Sequence, residues 1–474
     1  MSTPDDIGAS PLLLGGDRTS ALEHGVELLR EAWTSFDAPR PTQPDISSEI
    51  ERLTDAPLPE HGIDPTRVLV DAAQVLDQSM TNSRPRFFAF IPSSGLEMGV
   101  LADALMAAHD VNLASDAAAA NLVEHQTLQW VGELVGYPAT GGTFTSGGMI
   151  SNLTALATAR EHALPGTRLT GTSQVMTAYT SDEAHSSIER AVELIGIGRD
   201  NLRRVPIDAD RRMDPAALDA MLGADRSAGR VPMAVVATAG TTLTGTVDPI
   251  DAIAEVCERH DVWLHIDGAY GLPAAAAPST APLFRGLARA NSVAVDAHKW
   301  LYVPKACGVL LVRDKADLVT AFAHDAAYMI DEDLRHPVDW TLEYSRPFRA
   351  LKLWVALRTH GAAAFRAAID RNVHLARLLA RRVSETPNLQ LLKEPDLTVV
   401  AFRHLPAVGD LDMHNRALAH AIQVDGRVYL APAVIDGHTY LRPCITNFRT
   451  NPADVEELLT VVLELGAAVE AKHA

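Results

Sequence analysis

Six short apolar runs, at residues 175–179, 202–207, 233–238, 262–266, 292–295 and 308–312, alternate with helical patterns at 184–196, 214–223 and 250–260. Runs this apolar leave no wet face, so each predicts a strand buried on both sides. Strands separated by helices become parallel neighbours in one sheet, with the helices packed over its two faces. The middle of the chain is therefore expected to be an α/β domain. In such domains ligands gather beyond the carboxyl ends of the strands, and Asp267 and Asp296 follow two of the runs onto that rim.

The flanks have a different character. Residues 1–83 mix amphipathic stretches with Pro39, Pro41, Pro44, Pro57 and Pro59. This predicts short helical pieces that are unstable alone and pack on another part of the molecule or on another subunit. A large domain spans 84–345. It opens with the aromatic cluster Phe87, Phe88 and Phe90, which suits either a core or a pocket wall. It closes with an acidic stretch at 324–345, which reads as a long solvated loop. From 346 to 474 a helical stretch, strand patterns at 398–402, 428–430 and 440–445, and a helix at 452–470 predict a smaller C-terminal α+β domain.

Composition narrows the function classes. A net charge of -19 opposes nucleic-acid and anionic-membrane surfaces and favours a small-molecule ligand. Cys257, Cys307 and Cys444 are widely spaced and form no C-x-x-C, so they suit a reducing cytoplasm and suggest neither a disulfide framework nor a thiolate zinc site. The start is acidic and no run of eighteen apolar residues occurs, so neither export nor a membrane span is expected.

Four motifs fall where strands should end. Lys299 follows Val293, Val295, Asp296 and His298. A lysine here is costly to bury unpaired, and partial desolvation favours the neutral amine that attacks carbonyls, although most lysines are solvated surface groups. The stretch from Gly141 to Met149 reads as a glycine-rich turn entering a helix, whose orphan amides and dipole suit a phosphate. It lacks the Gly-Lys-Ser/Thr of a P-loop, and such turns also arise for steric reasons. His185 follows the run at 175–179 and could stack on a ring, move protons, or simply cap a helix. Asp267 ends the run at 262–266, where a buried carboxylate needs a partner such as a pyridinium nitrogen, and Ala269 leaves room for a planar ring. Thr238 ends a further strand on the same rim.

A phosphate cradle, a stacking imidazole, a carboxylate and a strand-end lysine together describe a pyridoxal phosphate site. A reading from another class takes His265, Asp267, Asp296 and His298 as ligands of a metallohydrolase, but it leaves Lys299 and the glycine turn unused. A non-catalytic binding protein on the same scaffold is the remaining alternative.

The ordered motifs T-S-G-G, D-E-A-H-S-S, H-I-D-G-A-Y and D-A-H-K-W resemble those of the group II pyridoxal-phosphate decarboxylases, which include the aromatic-L-amino-acid decarboxylases. The likeness runs from Phe87 to Pro443. It implies a fold-type-I enzyme with a mostly parallel seven-stranded sheet, pyridoxal 5'-phosphate as cofactor, and decarboxylation of an L-amino acid to an amine; the motif set and the Phe87 to Phe90 cluster make an aromatic or other bulky substrate the expectation. In that scheme Lys299 binds the cofactor covalently, with His298 beside it. Asp267 pairs with the pyridine nitrogen, Thr238 supports that side, and the ring lies between His185 and Ala269. The amides of Gly147, Gly148 and Met149 hold the phosphate. Phe88, Phe90, Arg442 and His336 are candidates for substrate contacts. The family also implies a homodimer, with the N-terminal segment packed on the partner and the active site near the interface.

Two departures from the family pattern stand out. Relatives carry a tyrosine proton donor on the mobile loop, and counting back from Arg346 reaches Pro337, with His336 adjacent and Tyr328, Trp340 and Tyr344 on the same loop. Relatives with phenylalanine there divert the reaction toward oxygen and release an aldehyde. Residues 301–308 read L-Y-V-P-K-A-C-G where bacterial relatives have L-N-V-P-Y-D-C-G.

Overall fold

The computed structural model describes residues 12–38, 40–323 and 336–473. Its centre is a sheet of β1 (Gly141–Thr145), β2 (Met176–Ser181), β3 (Leu202–Val205), β4 (Val231–Thr238), β5 (Trp263–Asp267), β6 (Ser292–Asp296) and β7 (Gly308–Val312). Their spatial order is β1-β7-β6-β5-β4-β2-β3, and only β7 runs against its neighbours. All six apolar runs became strands, with ends shifted by a residue or two. The seventh, β1, was hidden in what the sequence presented as a turn. Glycine carries no side-chain alternation to reveal a strand, yet close backbone approach requires it here. A Cβ on Gly142 would lie 2.3 Å from the Leu310 carbonyl oxygen on β7.

Helices cover the sheet and extend it. The N-terminal segment holds α1 (Arg18–Asp37), α2 (Ser48–Thr54) and α3 (Pro65–Asp77), followed by α4 (Glu97–His109) and α5 (Ala119–Val135). Between the strands lie α6 (Gly148–Ala163), α7 (Thr167–Thr170), α8 (Ser186–Leu194), α9 (Pro215–Ser227), α10 (Ile250–Arg259), α11 (Ala297–Trp300) and α12 (Lys315–Phe322). Local chemistry starts several of them. Asp64 and Asp214 cap α3 and α9 through their carboxylates, and a proline occupies the first turn of each.

The C-terminal region is built on α13 (Ala350–Glu385), which kinks at Gly361 and belongs to two cores. Leu353, Ala356 and Ile369 join the core of the large sheet, whereas Leu375, Leu379 and Val383 join a second core. That second core lies against β8 (Leu389–Leu391), β9 (Phe402–His404), β10 (Pro432–Ile435) and β11 (His438–Leu441), with α14 (Leu411–Asp425) and α15 (Pro452–His473). The strands expected at 398–402 and 428–430 are displaced to β9 and β10, because burial of the apolar residues just before each strand does not mark the hydrogen-bonded stretch.

Phe88 sits in this second core rather than in a pocket. Its amide donates to the Tyr429 carbonyl at 2.7 Å, and its carbonyl accepts from the Cys444 amide at 2.9 Å. The segment expected to open the large domain is thus stitched to the C-terminal unit. The supposed solvated loop also differs where it is described. Residues 324–335, Tyr328 among them, lie outside the described residues, but Pro337, Val338, Asp339 and Thr341 are buried. The Val338 amide donates to the Ala114 carbonyl, which ties this stretch to the domain surface. Among the described residues no helix is long and apolar enough to cross a membrane.

Candidate active site

Five strand ends converge on one cavity of about 300 Å³. The exit of β1 supplies Gly147, Gly148 and Met149, and that of β2 supplies His185. Thr238 ends β4, Asp267 and Ala269 come from β5, and Asp296, His298 and Lys299 come from β6 and α11. This is the rim on which a parallel sheet presents its ligands, and the single antiparallel strand β7 leaves it intact.

Lys299 is held by a counter-ion that the sequence already contained. Its Nζ lies 3.1 Å from Asp296 Oδ2, three residues earlier across the α11 turn. The other carboxylate oxygen, Oδ1, is buried without a partner among the described residues. Trp300 secures the turn from behind. Its indole N–H donates to Asn372 Oδ1 at 3.0 Å, and the Tyr302 hydroxyl donates to the same oxygen at 2.8 Å. His298 faces the Cys307 backbone through Nδ1, and burial pushes its pKa below the usual histidine value.

The glycine segment packs beside Asp296 and His298. Helix α6 begins at Gly148 with Gly147 as its cap, so the Gly148 and Met149 amides are among the orphan donors at its first turn. Gly148 admits no side chain. An added Cβ would stand 2.8 Å from Ala269 Cβ and 3.1 Å from Asp296 Oδ2. His185 caps α8, its Nδ1 accepting from the Ser187 amide at 3.1 Å, and its ring remains exposed at the cavity. The capping reading of this residue holds, and the capped imidazole still lines the cavity.

Asp267 is fixed from two directions. Asn152 Nδ2 donates to its Oδ2 at 3.0 Å, and the Ala269 amide donates to its Oδ1 at 3.2 Å. Asn152 gave no signal in the sequence, because it reaches β5 only through the path of α6 across the sheet. Ile91, Ser187 and Tyr270 also line the cavity and were missed for the same reason. The Thr238 amide donates to Asp248 at 2.7 Å, while its hydroxyl is buried with no partner among the described residues. Burial raises the Asp248 carboxyl to about 6.

The remaining candidates stand apart from the cavity lining. Phe90 is 61% exposed on a left-handed backbone, with φ of 57°. Its carbonyl accepts from Arg442 Nη1 at 2.8 Å. Arg442 itself is only 4% exposed, and its Nε and Nη2 have no partner among the described residues. Burial lowers its pKa. The His336 amide donates to Asp339 Oδ2 at 2.9 Å, so this residue starts a short helical turn instead of reaching the cavity. The metallohydrolase reading fails on geometry, since both ring nitrogens of His265 are already bonded, to Ser292 Oγ at 2.8 Å and Asn152 Oδ1 at 2.9 Å.

Comparison with known proteins decides the family. Residues 48–405 match the pyridoxal-dependent decarboxylase conserved domain. The chain belongs to the pyridoxal-dependent decarboxylase family. An aromatic-L-amino-acid decarboxylase of Bacillus atrophaeus is 31% identical over 446 residues, covering 91% of each chain. A human cysteine sulfinic acid decarboxylase is 32% identical over 370 residues, covering 76% of this chain and 75% of its own. Among solved structures, Oryza sativa TDC with PLP and tryptamine superimposes with a TM-score of 0.91 at 26% identity, over 98% of this chain and all of that one.

This pyridoxal-dependent decarboxylase is a fold-type-I carboxy-lyase that acts on an amino acid, and its cofactor is pyridoxal 5'-phosphate. The residues present fit that group. A cavity lined by the orphan helix amides of Gly148 and Met149, the fixed carboxylate of Asp267, the small side chain of Ala269 and the ring of His185 matches a phosphorylated planar ring.

Proposed function

We propose that this decarboxylase acts on an aromatic L-amino acid and releases the amine and carbon dioxide. The observation that carries the site assignment is the convergence of Lys299, Asp267, His185 and the Gly147-Gly148 turn on one cavity. When bound, the cofactor supplies an electron-accepting ring conjugated to the substrate α-carbon. The protein supplies attachment, orientation and charge.

In this reading Lys299 would carry the cofactor and release it to the substrate amine, and Asp296 would receive the lysine ammonium freed while the substrate is bound. Asp267 keeps a proton on the ring nitrogen through a charge-assisted hydrogen bond of about 1.5–3 kcal/mol. The amides of Gly147, Gly148 and Met149 hold the phosphate, Ala269 and His185 face the two sides of the ring, Thr238 supports the Asp267 edge, and His298 supports the lysine turn. Arg442 is the candidate partner for the substrate carboxylate. A buried guanidinium with two nitrogens that have no partner among the described residues is costly to hold, and a carboxylate would satisfy it.

The aromatic assignment is supported by the relative that shares 91% of the chain and by the apolar surface of Ile91 and Tyr270 on the cavity. A panel of aromatic, acidic and diamino acids, with carbon dioxide and amine quantified, tests it. Fastest turnover of a cysteine sulfinate-like acid would overturn the aromatic assignment.

A second reading has a specific observation behind it. Counting back from Arg346 sets Pro337 against the tyrosine proton donor of relatives, and Pro337 has no hydroxyl and is buried. Without that acid, an amino acid, oxygen and water would give an aldehyde, carbon dioxide, ammonia and hydrogen peroxide. Peroxide and ammonia in the same panel identify this outcome.

A homodimer is supported by the N-terminal helices. No residue of α1 or α3 is buried, and Leu22 (68% exposed), Leu58 (93%) and Leu76 (69%) need a covering surface. Sedimentation of the full chain at one subunit mass would contradict it. Three free, buried cysteines support a reducing, cytoplasmic setting.

A further inference from the structure

A chain of buried hydrogen bonds runs from β5 and β6 through α6 to the catalytic carboxylate. Trp263 Nε1 lies 2.9 Å from Ser292 Oγ, which lies 2.8 Å from His265 Nδ1. His265 Nε2 is 2.9 Å from Asn152 Oδ1, and Asn152 Nδ2 is 3.0 Å from Asp267 Oδ2. Every member is buried.

The two ends fix its direction. An indole N–H can only donate, and an ionised carboxylate can only accept. From the Asp267 end, Asn152 presents its amino group to the carboxylate and its carbonyl to His265 Nε2, so the ring proton must sit on Nε2. The neutral ring's Nδ1 then accepts from the Ser292 hydroxyl, which itself accepts from Trp263. Burial supports the same assignment, since it pushes His265 down to about 4 and keeps the ring neutral. Asn152 Nδ2 also donates to Ser187 Oγ at 3.0 Å, so both amide hydrogens are used.

We propose that His265 is a positioning residue for the cofactor: acting through Asn152, it orients the amide that holds the Asp267 carboxylate in line with the pyridine nitrogen. The rest of the chain, Ser292 and Trp263, locks the His265 tautomer. The sequence motif His265-x-Asp267 is thereby explained as one aligned unit rather than as two independent ligands. On a strand, residues two apart share a face, so both side chains reach α6. This inference rests on the role of Asp267 proposed above.

The test uses holoenzyme reconstituted with pyridoxal phosphate labelled with ¹⁵N in the ring. Wild type and His265→Gln, whose amide can both accept from Ser292 and donate to Asn152, are expected to give the signal of a protonated ring nitrogen. His265→Leu and Asn152→Leu are expected to move that signal toward the unprotonated position and to weaken cofactor affinity by about tenfold or more, the loss of one hydrogen bond to a charged group. Circular dichroism establishes that each variant is folded. If His265→Leu does not fold, Ser292→Ala reads the chain from its far end and is expected to shift the signal in the same direction. Leucine variants with the wild-type ring signal and affinity would overturn the proposal. So would a glutamine variant that behaves like leucine, or an unchanged Ser292→Ala where that variant decides. If wild type itself shows no interaction between Asp267 and the ring nitrogen, judged by an unchanged signal in Asp267→Asn, the assignment of Asp267 fails instead.

Discussion

Trp300 and Asn372 are joined by a buried 3.0 Å hydrogen bond from the indole N–H to the amide oxygen, and this bond ties the turn carrying Lys299 to the long helix α13. Asn372 also accepts from the Tyr302 hydroxyl and donates to the Asn447 carbonyl at 3.0 Å. One amide therefore satisfies three groups, two in the stretch that follows Lys299 and one in the C-terminal region.

Asn372→Leu should leave two buried donors without acceptors. The expected loss is roughly 2–5 kcal/mol of unfolding free energy. Denaturant unfolding of the cofactor-free protein measures it. A loss within error of zero would mean that these donors find other partners and that the turn is held in some other way.

Gly148→Ala tests the close packing of the glycine turn on the cofactor site. The new methyl would press on Ala269 and Asp296 at 2.8 and 3.1 Å. Cofactor affinity should fall steeply, while the cofactor-free protein loses only about 1–3 kcal/mol to overpacking. Titration with pyridoxal phosphate, set beside thermal unfolding, separates the two effects.

Arg442→Leu should lower kcat/KM by roughly 10–100-fold, the loss of a charge-assisted contact with the substrate carboxylate, while leaving cofactor affinity unchanged. Because the guanidinium is buried with two nitrogens unpartnered, the substitution should cost little stability. Steady-state kinetics and cofactor titration together check both halves of this expectation.

The pH dependence of stability carries a signature of His265. Its folded pKa, lowered to about 4, is below the ordinary value of 6.5, so between these values the unfolded chain binds a proton that the folded protein refuses. Stability therefore falls as pH drops from about 6.5 to 4, by up to about 3 kcal/mol from this group. Asp248, raised to about 6, acts with the opposite sign, but it is present in both proteins when wild type is compared with His265→Gln. The wild type should lose stability relative to the variant on acidification. A difference that stays constant with pH would show that His265 is not held neutral.

Much of this arrangement was legible in the chain because it follows from strands that end. Apolar runs with no polar face marked six of the seven strands of the large sheet, and the first polar residues after them, Asp267, Asp296 and Lys299, fall on the rim by geometry alone. The strand β1 escaped because Gly141 and Gly142 have no side chains to alternate. Asn152, Ile91 and Ser187 escaped because their approach to the cavity depends on how helices and loops cross the sheet, which no local pattern encodes. Phe88 shows the limit of composition. Its ring demanded burial, but only the pairing of its backbone with Tyr429 and Cys444 decides which core receives it.

Attachment of the cofactor to Lys299 is the central claim, and one measurement addresses it directly. Holoenzyme is treated with borohydride, digested, and analysed by mass spectrometry. The account predicts a phosphopyridoxyl group on the peptide that contains Lys299, and no such modification in Lys299→Ala. A modification on another lysine in the wild type, or none at all in a protein saturated with pyridoxal phosphate, would contradict it.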